Sequence, residues 1–199
     1  MRRALIGAGG LASEISWMIG SELPCFVSDE LIVDKATSNF RPLSEFDPKR
    51  YEVCIAIASP QVRLRIRRYL PESTRFFSYV HPSAILYIRP ESIGIGSFIG
   101  CHVVVMNDVT IGSHVILNRF NQVGHNSKLG DFFTGLPSAN IAGNVLVGQS
   151  VLMGSGSSIL ENLKVCNDVT IGAMACVTKN ILRSGIYTGI PAKLKDGNF

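Results

Sequence analysis

Between residues 81 and 177 the apolar positions keep a six-residue beat. Stepping by six from His81 gives Tyr87, Ile93, Ile99, Val105, Ile111, Leu117, Val123, Leu129, Gly135, Ile141, Val147, Met153, Ile159, Val165, Ile171 and Val177. Of these 17 positions 14 are Ile, Leu, Val or Met, and eight are followed by glycine, too many for scattered aliphatics. Four places after a beat the residue is usually small or β-branched, as at Val103, Ser127, Ala139, Val145 and Ala175. A helix repeats near 3.6 residues and a plain strand at 2, so neither makes this pattern. Short strands joined by tight, glycine-assisted corners do. The segment is predicted to be a parallel β-solenoid, three hexads closing each coil and coils stacking about 4.8 Å apart. Each residue then lies above the one 18 positions earlier.

The first eighty residues carry a different pattern. Residues 2–6 read as a short buried strand, Gly7-Ala8-Gly9-Gly10 as a turn, and Ala12 to Ile19 as a helix. A second strand fits Pro24 to Val27, ending in Ser28-Asp29-Glu30. A third fits Val53 to Ala58, followed by a helix from Gln61 to Tyr69. Strand, glycine turn, helix, strand predicts a βαβ unit in a parallel sheet. Unspent amides at the helix start can hold phosphate, and Asp29 can take a ribose or base donor. The turn has G-x-G-G where a dinucleotide fingerprint has G-x-G-x-x-G. The segment therefore suits a mononucleotide or nucleotide sugar better than NAD, or is a glycine turn that binds nothing. Two domains are expected: a small Rossmann-like one over 1–79 and the solenoid over 80–199.

Composition narrows the function classes. The chain has 199 residues, 46% hydrophobic and 17% charged, with material for two cores. The net charge of +4 is scattered, which favours small anionic ligands over nucleic acid. Arg63, Arg65, Arg67 and Arg68 form the densest basic cluster and read as a solvated helix face. Five widely spaced cysteines without C-x-x-C suit reduced thiols in the cytoplasm. No apolar run is long enough for a membrane span, and Gly7, Gly9, Gly10, Gly20 and Glu14 spoil any signal-peptide reading.

Four histidines remain to be sorted. His81, before Pro82, is expected to cap or pack the start of the solenoid, and His102 and His114 to be polar surface. No two histidines are five or 18 apart, so no metal site is expected. His125 falls in mid-solenoid just past a glycine corner. The stacking rule places Asn107 below it and Gly143 above it, where a missing side chain leaves room for a thioester or a backbone contact.

The whole chain resembles the bacterial nucleotide-sugar acetyltransferases, both the UDP-4-amino-sugar N-acetyltransferases and the related sialic acid O-acetyltransferases. The resemblance rests on Gly7-Ala8-Gly9-Gly10, Phe26-Val27-Ser28-Asp29, Ala56-Ile57-Ala58, Val80-His81-Pro82-Ser83-Ala84, Asn118, Gly124-His125, Ala142-Gly143-Asn144-Val145 and Gly189-Ile190-Pro191-Ala192-Lys193. It implies a left-handed β-helix, a homotrimer, and acetyl transfer from acetyl-CoA to a sugar amine in surface glycan synthesis. The implied acceptor is a UDP-4-amino-4,6-dideoxy sugar. His125 is the implied general base and Asn118 a positioning group. Thr134, Gly143, Ser155, Ala173, Pro191 and Lys193 fall on the acetyl-CoA side, and Gly9, Gly10, Leu11, Ser28, Asp29 and Ala58 on the nucleotide-sugar side.

Three positions depart from the family pattern. Asn126 stands where an acid usually follows the histidine, and Thr134 and Leu11 where histidines are common. The 18-residue stack places Asp108 one strand below Asn126, so Asp108 is a candidate acid partner for His125. Sialic acid O-acetylation, a binding homologue without activity, and an NAD dehydrogenase are the competing readings.

Overall fold

The computed structural model describes residues 1–20, 22–28 and 40–195. Its first part is a five-stranded parallel sheet. β1 (Arg2–Ile6), β2 (Cys25–Val27), β3 (Phe40–Pro42), β4 (Tyr51–Ile55) and β5 (Arg75–Phe76) lie in the order β3-β2-β1-β4-β5. Helix α1 (Gly10–Ile19) follows β1, and α2 (Pro60–Tyr69) follows β4. Ser59 caps α2 by accepting from the Val62 amide, with Pro60 in the first turn. β4 is shifted from the expected Val53–Ala58, leaving Ala56, Ile57 and Ala58 as a loop. The sequence reading also missed β3 and β5. Both are short, and β3 (Phe-Arg-Pro) is an edge strand with no apolar alternation.

The second part is the expected solenoid. Its first face runs from the strand Tyr79–Val80 to Gly185–Thr188, with the antiparallel strand Lys193–Leu194 on its edge. The second face runs from Ile85–Leu86 to Cys176–Val177, and the third from Thr110–Ile111 to Lys164–Val165. Through the middle, partners differ by 18 residues, as in Ile116↔Thr134, Gln122↔Asn140 and Lys128↔Leu146. Beat residues such as Ile99, Val123, Met153 and Ile171 fill the interior with Val103, Val115 and Val145. The corners share a second period: His102, Asp108, His114, Phe120, Asn126, Phe132, Ser138, Asn144, Ser150, Asn162, Asp168 and Met174 all have positive φ, six apart, with Gly156 filling the gap.

The beat fails in two places, each for a local reason. The first coil carries one extra residue near the 3-10 turn Pro90–Ser92, so Tyr79 pairs with Phe98 and Ile85 with Val104, 19 apart. His81 and Tyr87 therefore fall out of register, Tyr87 pointing outward at 62% exposure. The interior beat begins at Ile93. At Gly135 the place of a beat side chain is taken by Asn121, which is 1% exposed and donates to the Leu136 carbonyl.

The sheet domain docks on the first face. Phe98 and Ile116 project from that face into a cluster with Leu5, Ala12, Ile15, Cys54 and Phe77. Burying a side chain the size of Phe98 or Ile116 is worth about 1.5–3 kcal/mol.

Candidate active site

His125 sits at the corner between the second and third faces, opposite the face that carries the sheet domain. Its backbone is pinned in the ladder: the Asn126 amide donates to Asn107 O at 3.1 Å, and the Asn144 amide to His125 O at 2.8 Å. The ring lies over Gly143, where an added Cβ would come 2.7 Å from both Cε1 and Nε2. The imidazole is exposed, as a base serving an external substrate must be. Nδ1 lies 3.2 Å from the Asn126 side-chain nitrogen, which also lies 3.2 Å from Asn144 Oδ1. Asn126 has φ 59°, a conformation that Asn tolerates better than most residues. Asp108, expected as the acid partner of His125, bonds a different neighbour. Its carboxylate accepts from Asn107 at 2.7 Å, and among the described residues no ion pair joins it to His125.

A second feature lies on the sheet domain. Strand order reverses between β1 and β4, where open α/β sheets characteristically bind ligands. A cavity of about 510 Å³ opens there between Gly7–Leu11, Val27–Ser28 and Ala56–Ala58, floored by Val62 and Ile66. Gly7, at φ 119° and with its Cβ position blocked by Ala56 and Ile57, must be glycine. Gly9 precedes α1 without a side-chain cap, so the helix's first amides are unspent. Gly9, Gly10, Leu11, Ser28 and Ala58 thus line one cavity; Asp29 lies outside the described residues.

The residues assigned to acetyl-CoA are not gathered within one chain. Gly143 lies one coil above His125, against its ring. Ser155 and Ala173 stack at the corner between the first and second faces, where the Met174 amide donates to Ser155 O. Asn118 is two coils below them, 4% exposed, and meets Glu14 of α1 at 3.5 Å, while Arg119 pairs with Glu14 at 3.3 Å. Pro191 and Lys193 are exposed at the far end of the first face. Thr134 is fully buried and donates to Ala58 O at 2.8 Å, so it joins the two domains and does not face a cofactor channel.

Two expectations fail at that same junction. Arg63 is not on a solvated face: it is 1% exposed, donating to the carbonyls of His114, Ile57, Ala58, Phe132 and Phe133 and to the Thr134 hydroxyl. Burial lowers its guanidinium to about 9, so it stays charged at neutral pH. His114 is not surface but 3% exposed, stacked on Phe132 and edge-on to Phe76. Burial first, then Arg67 and Arg63, push its imidazole down to about 4. A row of four arginines on a helix gives no signal of which one turns inward.

No family model matches the chain. A GDP-perosamine N-acetyltransferase from Escherichia coli O157:H7 is 26% identical over 161 residues, 77% of this chain and 72% of that protein. PerB from Caulobacter crescentus, solved with CoA and GDP-perosamine, superposes with a TM-score of 0.83 at 23% identity, over 98% of this chain and 97% of that one. The acetyltransferase domain of PglB from Neisseria gonorrhoeae gives 0.82 at 24%, over 98% and 99%. These relatives and structural neighbours are acetyltransferases, two of them named for N-acetylation of GDP-perosamine or solved with it and CoA. The chain spans about a quarter of the length of the bacterial UDP-3-O-acylglucosamine N-acyltransferases it also matches, such as that of Delftia acidovorans, 31% identical over 85 residues, 43% of this chain and 25% of that protein. Among the described residues no helix is long and apolar enough to cross a membrane, and no group of three His, Cys, Asp or Glu side chains could hold a metal.

Proposed function

We propose that the chain is an acetyl-CoA-dependent N-acetyltransferase acting on the amine of a nucleotide-linked amino sugar, in surface glycan synthesis in the cytoplasm. The reading is carried by His125, exposed over a glycine in a solenoid whose fold matches that of an enzyme solved with CoA and GDP-perosamine. That enzyme has also been solved with one histidine replaced by asparagine or alanine, which fits a histidine of special importance in the fold. In this reading the sugar amine attacks the acetyl carbon, an N–C bond forms and the thioester C–S bond breaks. His125 takes the amine proton and the thiolate leaves with a proton from solvent or the imidazolium. The sheet domain is the Rossmann-like nucleotide-sugar module and the solenoid winds left-handed.

The geometry supports a homotrimer for this purpose. His125 and the cavity of its own chain lie on opposite sides of the prism. A threefold assembly sets the His125 corner of one chain against a neighbour's corner with Asn118, Ser155 and Ala173, beside that neighbour's cavity. The CoA arm then runs along the groove between prisms, toward the exposed Pro191 and Lys193.

The test is thiol release from acetyl-CoA against UDP-, dTDP- and GDP-linked amino sugars and sialic acid. Turnover on an amino sugar, reduced about 10²–10⁴-fold in His125→Ala, is expected. Turnover on sialic acid alone would move the reading to O-acetylation, and acetyl-CoA binding without turnover would reduce the chain to a binding homologue.

A further inference from the structure

We propose that Asn144, acting through Asn126, is a positioning residue that sets the tautomer of His125; the inference rests on the reading of His125 as the base. A base that takes a proton at Nε2 must hold its own proton on Nδ1. The partner of Nδ1 is therefore decisive, and it is the side-chain amide of Asn126, 3.2 Å away. The same terminal atom of Asn126 lies 3.2 Å from Asn144, one coil above. Asp108, the nearby carboxylate of this column, is engaged with Asn107.

As the groups stand, Asn126 gives its two N–H bonds to His125 Nδ1 and to Asn144 Oδ1. Nδ1 is then an acceptor, and the proton sits on Nε2, the wrong nitrogen for a base. Turning the Asn126 amide by half a rotation puts its oxygen in the same place, where it accepts from Nδ1–H. That oxygen would then face Asn144 Oδ1, so Asn144 must turn as well and donate. An amide oxygen has lone pairs for both donors. The two amides thus turn together, and the atom that Asn144 presents selects the tautomer. The backbone holds both in place: φ is 59° at Asn126 and 58° at Asn144, and the Asn144 amide is bonded to His125 O. Both side chains are exposed and have room to turn.

An acceptor-only residue at 144 locks the unproductive state. Asn144→Asp keeps shape and tolerance for positive φ but can only accept, which fixes Asn126 nitrogen-outward and the proton on Nε2. Asn144→Gly is the second variant, free of backbone strain and without a side chain to bias Asn126. The measurement is the ¹⁵N spectrum of His125 in the full chain labelled at histidine, at a pH where the ring is neutral. Expected is a higher Nε2–H population in Asn144→Asp than in the wild type, with kcat down at least about tenfold, since a wrong tautomer can cost about 10⁴-fold. KM for acetyl-CoA should stay within about twofold, because Asn144 does not act on binding. Asn144→Gly should fall between the two. Equal tautomer ratios in wild type and Asn144→Asp would overturn the proposal. A shifted ratio in a protein that acetylates no amino sugar would uphold the pairing and defeat the acetyltransferase reading instead.

Discussion

A methyl group at Gly143 has nowhere to go but into the imidazole. Its Cβ would stand 2.7 Å from Nε2 of His125, while the backbone at Gly143 has no positive φ to forbid an alanine. Gly143→Ala should therefore leave the fold intact, with stability within about 0.5 kcal/mol. The ring must swing away, and misplacing a base by about 1 Å can cost about 10²-fold in rate. Unchanged kcat in a folded Gly143→Ala enzyme would show that the ring's seat on Gly143 does not matter for transfer. The neighbouring Asn126 has a backbone reason as well as a chemical one. It occupies the positive-φ corner, where Asp, Asn and Gly fit best, so an amide in place of a carboxylate costs the coil little. The stacking of His125 against Gly143 was legible in the chain because a fixed period of eighteen brings the two together. The amide contact between Asn126 and Asn144 was not, because the period gives neighbours but not side-chain rotamers.

At the scale of elements, the junction of α2 with the first solenoid face contains a buried cation and a buried neutral histidine, and the second makes stability depend on pH. The folded state holds His114 down at about 4, whereas an unfolded histidine titrates near its ordinary 6.5. Between those values the unfolded chain binds a proton that the folded chain refuses. This contribution is complete above about pH 6.5 and is lost as pH falls toward 4, by about 3 kcal/mol in all. Arg63 and Arg67 oppose the imidazolium and Asp131 favours it; its Nδ1 has no hydrogen-bond partner. Urea midpoints at pH 7.5 and 4.5 should diverge more in the wild type than in His114→Phe, which keeps the stack on Phe132. The same divergence in both would mean that other groups carry the acid sensitivity. Neither Arg63 nor His114 was legible as a buried residue. The pattern of α2 is polar on most faces, and the six-residue beat gives the corner at 114 no side-chain identity.

For the whole molecule, the sequence disclosed the solenoid in detail because eighteen-residue stacking leaves little freedom, and failed where the spacing changed. One inserted residue in the first coil moved His81 and Tyr87 out of register, and no composition signal marks it. The sheet domain was half legible: the buried β1 and β4 show as apolar runs, whereas β3 and β5 are short edge strands recruited by their neighbours. Within one chain the cavity and His125 lie on opposite sides of the prism. If a site is completed between chains, two dead variants should rescue one another. His125→Ala removes the base, and Ala58→Trp fills the cavity from its lip while leaving the solenoid corner untouched. Each alone should be inactive in acetyl transfer. Unfolded together and refolded at equal amounts into trimers, a shared site is intact when a chain with a good His125 meets a neighbour with a good cavity. Random assortment makes that about one site in four. About a quarter of wild-type activity is therefore expected from the mixture. Sites built within one chain would give none, because every chain present carries a defect, and that result would reject the trimer-shared geometry while sparing the chemistry assigned to His125.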